Sequence, residues 1–383
     1  MNTPFRVLRV VGRLDRGGLE TIIMNAYRII DRSKLQFDFV MHTTDECDYC
    51  EEIRSLGGRI FSIPHYTVKN HLRYIKSWDD FFAEHPEYKV IHGHMMTTAS
   101  IYLPIAKRHG LTTISHSHAT RPSNKILALE KYILQSPLRK QNNKNIDYMF
   151  ACSTAAGQWL FGRDVVNRPN FKVVPNGIDV ENFSFDTSVR DEIRQQLNIT
   201  DQFVIGHIGR FDSGKNHKFI VSVFQEIVEQ NPNAVLLLIG DGILRKEIEV
   251  QVSKAGISDK VIFAGVRDDI NKLVQAMDIF LFPSLFEGFG NVLIEAQSAG
   301  LPCVVSNSVQ PEVKVTDLVH FFSLENSPKY WAENILEIAK IFKRVDTSRN
   351  VISAGYDVHE VAKWYEQFYL KCSNQLVHFT DNN

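Results

Sequence analysis

Cysteine is scarce and odd in number: five in 383 residues are too few for a disulfide framework. No apolar run approaches the ~18 residues a membrane span needs. Among the longest is Ala234 to Ile239, which reads as a buried strand. Neither sign of charge is in excess. Lys+Arg 43 against Asp+Glu 44 leave a formal net charge of −1, so no global field draws the chain to nucleic acid. The residues Met1 to Arg6 lead into a strand pattern without an apolar signal region. Internal repeats, low-complexity tracts and long charge runs are also missing. Secreted scaffolds, integral membrane proteins, collagen-like chains and disordered chains therefore fit poorly, and a reducing cytoplasm is the expected setting.

What is present is an ordinary globular composition, 44% hydrophobic and 23% charged, long enough for two or three domains. Short β-rich runs alternate with amphipathic stretches. A first series of strands is expected at Phe5–Val11, Phe37–Met41, Arg59–Ile63, Lys89–His92, Thr112–His116, Asp147–Cys152 and Lys172–Pro175. A second is expected at Phe203–Ile208, Ala234–Ile239, Val261–Phe263, Ile279–Phe282, Cys303–Ser306 and His320–Phe322. Such alternation predicts α/β architecture: two doubly wound parallel-sheet domains, joined near Asn176 to Asp201, with ligands outside the strands' carboxyl ends in a cleft between them. The aromatic-rich pattern Val358–Leu370 predicts a last helix, packed back on the first domain or on its own. Cys47-Asp48-Tyr49-Cys50 sits among acids and lacks a second ligand pair, so incidental surface or loop cysteines are expected there.

Several strand ends carry residues suited to anions and hydroxyls. Gly209-Arg210-Phe211-Asp212-Ser213-Gly214-Lys215-Asn216 falls one residue short of a P-loop, because Asn216 stands where a Ser/Thr would hold Mg²⁺. Arg210 and Lys215 could still converge on one phosphate; a solvated basic turn is the alternative. Glu287-Gly288-Phe289-Gly290-Asn291 follows the strand ending at Phe282. Gly288 and Gly290 are expected at positive φ, and Asn291 as the N-cap of a helix whose start favours phosphate. Glu287 in the loop and Glu295 a turn into that helix could bond different hydroxyls of one sugar nucleotide. Gly17-Gly18 and Gly240-Asp241-Gly242 are further strand-end turns. His92-Gly93-His94 and His116-Ser117-His118 end two more strands. A metal would need a third ligand, and with no obvious acidic partner spaced with either pair, neutral imidazoles hydrogen-bonding a sugar suit them better.

Together these segments resemble the retaining glycosyltransferases of family 4. The matching residues are Gly17-Gly18 with Glu20, His116, Val174-Pro175-Asn176-Gly177-Ile178-Asp179, Gly209-Arg210 with Lys215, Gly240-Asp241-Gly242, and Glu287 separated by seven residues from Glu295. The likeness covers essentially the whole chain and is most specific over 203–306; it looks closest to the bacterial branch building capsular or exopolysaccharide units. It implies the GT-B fold, with an acceptor-side domain at 1–178, a nucleotide-sugar donor domain at 179–357 and a helix 358–383 returning to the first. It implies a nucleoside-diphosphate sugar, a UDP-sugar foremost, as donor, and a glycan or polyprenyl-linked acceptor. Hexosyl or N-acetylhexosaminyl transfer with retention would follow.

By the same resemblance, Arg210 and Lys215 bind the diphosphate with help from the Gly17–Gly18 backbone, and Glu295 bonds the ribose. Glu287 faces the donor sugar. Gly240 and the loop Gly288, Phe289, Gly290 and Asn291 border the donor, and Gly265 with Arg267 lies against its base. His116 touches the donor sugar, although His118 allows a two-residue shift, and His94 is a further candidate contact. No Asp-x-Asp triplet occurs, so no metal and no cofactor is expected. The basic, partly apolar segment 121–145 could rest on an anionic membrane or serve its own domain core. A catalytically silent partner subunit, a P-loop phosphotransferase and an epimerase are the alternatives. The combination of Arg210, Lys215, Glu287 and Glu295 speaks against the first, and Asn216 against the second.

Overall fold

The computed structural model describes residues 3–96, 98–118 and 144–380, with side chains to residue 373. It divides into two units, Met1–Gly177 with Asp357–Asn383, and Ile178–Tyr356.

The first unit has a parallel sheet of β1 (Phe5–Val10), β2 (Leu35–Met41), β3 (Ile60–Ser62), β4 (Val90–Gly93), β5 (Thr112–Ser117), β6 (Tyr148–Ala151) and β7 (Phe171–Val173), ordered β3-β2-β1-β4-β5-β6-β7. The second has β8 (Phe203–Ile208), β9 (Ala234–Ile239), β10 (Val261–Gly265), β11 (Ile279–Phe282), β12 (Cys303–Ser306) and β13 (Val319–Phe322), ordered β10-β9-β8-β11-β12-β13. Central strands such as β9 are buried along their whole length, which is why they read as unbroken apolar runs. In each sheet the order reverses beside the first strand, between β1 and β4 and between β8 and β11. Doubly wound sheets bind ligands at that reversal, outside the carboxyl ends.

The helix Val358–Thr380 packs on β1, β2 and the helix Gly18–Ile29. Its Val361, Ala362, Tyr365, Tyr369 and Cys372 complete the first unit's core. That core also contains Cys47 and Cys50; of the expected surface or loop positions, the surface one fails for both and the loop one holds for Cys47. Tyr49 and Ile53 bury the short helix Cys50–Ser55 against the sheet and carry the thiols inward, and burial pushes the Cys47 thiol above its ordinary range.

Candidate active site

Four loops leave the carboxyl end of the second sheet, and backbone hydrogen bonds tie them into one platform. Phe211 N donates to Asp241 O (2.9 Å) and Leu244 N to Phe211 O (3.0 Å), joining the turns after β8 and β9. Gly240 N donates to Gly265 O (2.7 Å), and Leu285 N to Gly214 O (2.8 Å), adding the ends of β10 and β11. A Cβ on Gly240 would lie 2.2 Å from Gly209 O, and φ there is +127°, so loop-to-loop packing alone requires glycine.

On this platform Lys215 Nζ sits 2.6 Å from Glu287 Oε1, with side chains only 19% and 12% exposed. One group follows β8 and the other β11, so the ion pair straddles the strand-order reversal. The same ammonium lies 4.7 Å over the Phe282 ring. Asp212 shapes the turn: its Oδ1 accepts from Gly214 N (2.8 Å) and Lys215 N (3.3 Å). Asn216, the residue that breaks the P-loop pattern, adopts the left-handed conformation at φ 58° and donates from Nδ2 to Pro283 O (3.1 Å). Its tolerance of that conformation starts the helix His217–Gln230 where a Thr would be strained. Sequence reasoning missed Asp212 and Asn216 as shaping residues; Asp and Asn flanking a Ser-Gly turn were the available signal. Arg210 is exposed on the same turn.

Glu287 to Asn291 differs in detail from expectation. Gly290, not Asn291, is the N-cap of the helix Asn291–Ser298; it is left-handed at φ +89°, whereas Gly288 is not among the positive-φ glycines. The Phe289 side chain is buried and stacks on Tyr356 at 5.6 Å, so it is a core residue that leaves only its backbone for a ligand. Glu295 is partly buried, and desolvation pushes its carboxyl up to about 7. Arg267 is held by Asp269 through two short hydrogen bonds (2.8 and 2.6 Å), which offsets its charge at the end of β10.

In the first unit, Gly17 is the N-cap of the helix Gly18–Ile29, and Glu20 folds back to 2.4 Å from where a Gly17 Cβ would stand. An acid thus already occupies this helix start. The four histidines of β4 and β5 meet because those strands are neighbours. His92 Nε2 lies 3.2 Å from His116 Nδ1, and His94 Nδ1 is 2.9 Å from His118 Nε2. His92 also bonds the Tyr369 hydroxyl. His116 is thus held inside the unit, while His118 is half-buried at the strand's end. Desolvation drives all four below the ordinary imidazole range, His118 to about 3.

Sequence spacing offers no acidic third ligand to either histidine pair, but the fold supplies a third imidazole: ring nitrogens of His92, His94 and His116 lie within 4.8 Å of one another. Their surroundings oppose a cation nonetheless. Arg9, missed by sequence reasoning because an arginine in a strand looks like a surface residue, is 1% exposed and places Nη1 3.2 Å from His94 Nε2. Its guanidinium lies over Phe37 at 4.1 Å and Tyr365 at 4.8 Å. A metal beside that fixed charge would be repelled in a medium of low dielectric.

The description "Glycosyltransferase Family 4" matches residues 16–182, and "Glycosyl transferases group 1" matches 189–357. "Putative glycosyltransferase EpsF" of Bacillus subtilis (strain 168) is 34% identical over 368 residues, 93% of this chain and 94% of that one. The chain belongs to glycosyltransferase family 4. It is therefore an enzyme of glycosyl transfer, built on the GT-B pair of Rossmann-like units. The family-4 chain is also 33% identical, over 37% of its length and 38% of the other's, to the Escherichia coli UDP-Gal:alpha-D-GlcNAc-diphosphoundecaprenol alpha-1,3-galactosyltransferase. Its fold matches that of Anabaena Alr3699/HepE in complex with UDP-glucose, with TM-score 0.74, 19% identity and coverage of 97% and 99% of the two chains.

Proposed function

We propose that this enzyme moves a hexosyl or N-acetylhexosaminyl group from a UDP-sugar to a glycan or polyprenyl-diphosphate-linked acceptor in surface polysaccharide synthesis. It does so with retention of configuration and without a metal ion. The observation that carries the reading is the Lys215–Glu287 pair at the reversal of the second sheet, ringed by Arg210 and the tied glycine turns. Lys215 and Arg210 would take the charge that appears on the diphosphate, and the helix start at Gly290–Asn291 adds backbone donors. Glu295 would accept from the ribose hydroxyls. The donor and acceptor classes are supported by the relative that acts on a diphosphoundecaprenol acceptor with UDP-Gal, and by the neighbour that binds UDP-glucose.

In the proposed step the bond from the anomeric carbon to the β-phosphate oxygen breaks and UDP departs. The acceptor hydroxyl oxygen attacks the same face, and its proton passes to the departing phosphate oxygen. Glu287, held by Lys215, acts as an electrostatic and positioning group for the sugar.

The test is a hydrolysis and binding panel of UDP- and GDP-sugars, run with and without EDTA. Turnover of at least one UDP-sugar, unchanged by EDTA, is expected. Dependence on added divalent ion would overturn the metal-free mechanism, and indifference to every nucleotide sugar would overturn the assignment of donor. The basic segment 121–145 proposed as a membrane contact lies, except for its last two residues, outside the described residues.

A further inference from the structure

The chain leaves β3 at the carboxyl edge of the first sheet and enters the helix His71–Glu84 through a helical turn, Val68–Asn70. From Pro64 to Trp78 there is no acid, but there are Lys69, Arg73 and Lys76 and two histidines, His65 and His71. All five basic or imidazole side chains are exposed. Val68 is 66% exposed and Leu72, one helical turn on, is 81% exposed. Lys69 and Arg73 repeat that spacing, so an aliphatic row and a basic row run side by side.

Local bonds hold these residues outward. Thr67 N donates to Asn70 Oδ1 (2.8 Å), Asn70 Nδ2 donates to His65 O (2.8 Å), and Tyr66 Oη lies 3.3 Å from His71 Nδ1. Tyr74 and Trp78 are fully buried on the opposite side, so the helix cannot roll to hide Leu72. Among the described residues no helix is long and apolar enough to cross a membrane. Lys76 is paired with Asp80 (2.7 Å), which leaves Lys69 and Arg73 as the cations beside the two projecting aliphatic tips. Together these four side chains match the depth and charge of a phospholipid headgroup layer.

We propose that residues 64–76 dock this chain on an anionic phospholipid surface, with Val68 and Leu72 entering the headgroup region and Lys69 and Arg73 meeting lipid phosphates. In a parallel sheet all carboxyl ends share one edge. Docking here would therefore bring the strand-end loops of the first unit to the membrane, where a polyprenyl-linked acceptor resides. That consequence rests on the proposed acceptor; the docking itself does not.

Flotation of the full chain with vesicles of phosphatidylcholine containing phosphatidylglycerol, against phosphatidylcholine alone, tests the proposal. UDP-sugar hydrolysis is measured in parallel to report on the donor site and the fold. The wild type is expected to float only with anionic vesicles, and less as salt rises. Val68→Ser with Leu72→Ser, and separately Lys69→Gln with Arg73→Gln, should each weaken partitioning about tenfold or more while hydrolysis stays unchanged. Absence of wild-type binding would overturn the proposal. So would variants that float as well as the wild type, which would move the contact elsewhere, or a Leu72-dependent dimer in sedimentation, which would make the surface a self-interface. Failure of hydrolysis in the wild type would overturn the donor reading and leave the flotation result standing.

Discussion

Lys215 and Glu287 neutralise each other at 2.6 Å, and that pairing gives their replacements opposite consequences. Lys215→Ala removes a cation from the proposed diphosphate site and from the side of Glu287. UDP-sugar affinity should fall about 10- to 100-fold by calorimetry, the size of a lost charge-assisted contact. Glu287→Ala frees Lys215 for phosphate, so UDP should bind as well or better while turnover falls about 100-fold; equal losses in both would contradict the assigned roles. Glu295 carries a pH signature. Its carboxyl titrates near 7 in the fold and near 4.5 in the unfolded chain. Below pH 4.5 both states hold the proton and there is no cost. As pH rises to 7 the unfolded chain loses it first, so the fold is penalised by up to about 3 kcal/mol above that pH. Glu295→Gln should thus stabilise the protein at pH 8 and not at pH 4.5 in urea titrations. UDP affinity, rising through pH 7 in the wild type as the carboxylate forms, should become flat in the variant.

The elements show how far sequence patterns reach. Strands β8, β9, β11 and β12 fall at the residues their apolar runs mark, because both faces of a central parallel strand are covered. The edge strand β3 is shorter than its pattern, with a neighbour on one side only. The platform of tied loops was legible as glycine turns at strand ends, but the reason for one of those glycines was not. Gly240 is demanded by Gly209 O, a contact between loops 31 residues apart that no local pattern encodes. Gly240→Ala should cost about 2–4 kcal/mol, combining backbone strain and the clash, and should lower UDP affinity as the turns separate. Gly110→Ala is the control: φ is +81° there with nothing within 4 Å of a Cβ, so about 1 kcal/mol is expected and UDP binding should be unaffected. Similar costs for the two variants in denaturant titrations would show that the loop contact is unimportant. The histidine pairs were visible in the sequence as pairs; their meeting depends on β4 lying next to β5, a fact of topology.

For the whole molecule, the last helix belongs to the first unit although the second unit separates them in sequence. The chain leaves Gly177, builds residues 178–356, and returns with Tyr365 and Tyr369 against Arg9. Arg9 has no carboxylate partner among its described contacts; aromatic faces and His94 hold its charge. The aromatic richness of Val358–Leu370 suggested a packed helix, but the buried cation that it covers has no sequence signature. Removing the rings should expose the cost of that cation. Tyr365→Ala with Tyr369→Ala opens a cavity beside Arg9, removes the hydroxyl on His92 and withdraws two cation–π faces. A loss of at least about 4 kcal/mol follows from the cavity alone. Calorimetry should then show a transition for residues 1–177 with 357–383 moved to lower temperature. The transition raised by added UDP should stay in place, because none of these residues belongs to the unit carrying Lys215 and Glu287. Restoring a smaller, uncharged core with Arg9→Met in the same background should recover part of the loss, since the variant then has no unpaired guanidinium to bury. If Arg9→Met gives no recovery, the helix contributes packing area only, and the guanidinium it encloses is incidental to how the chain closes on itself.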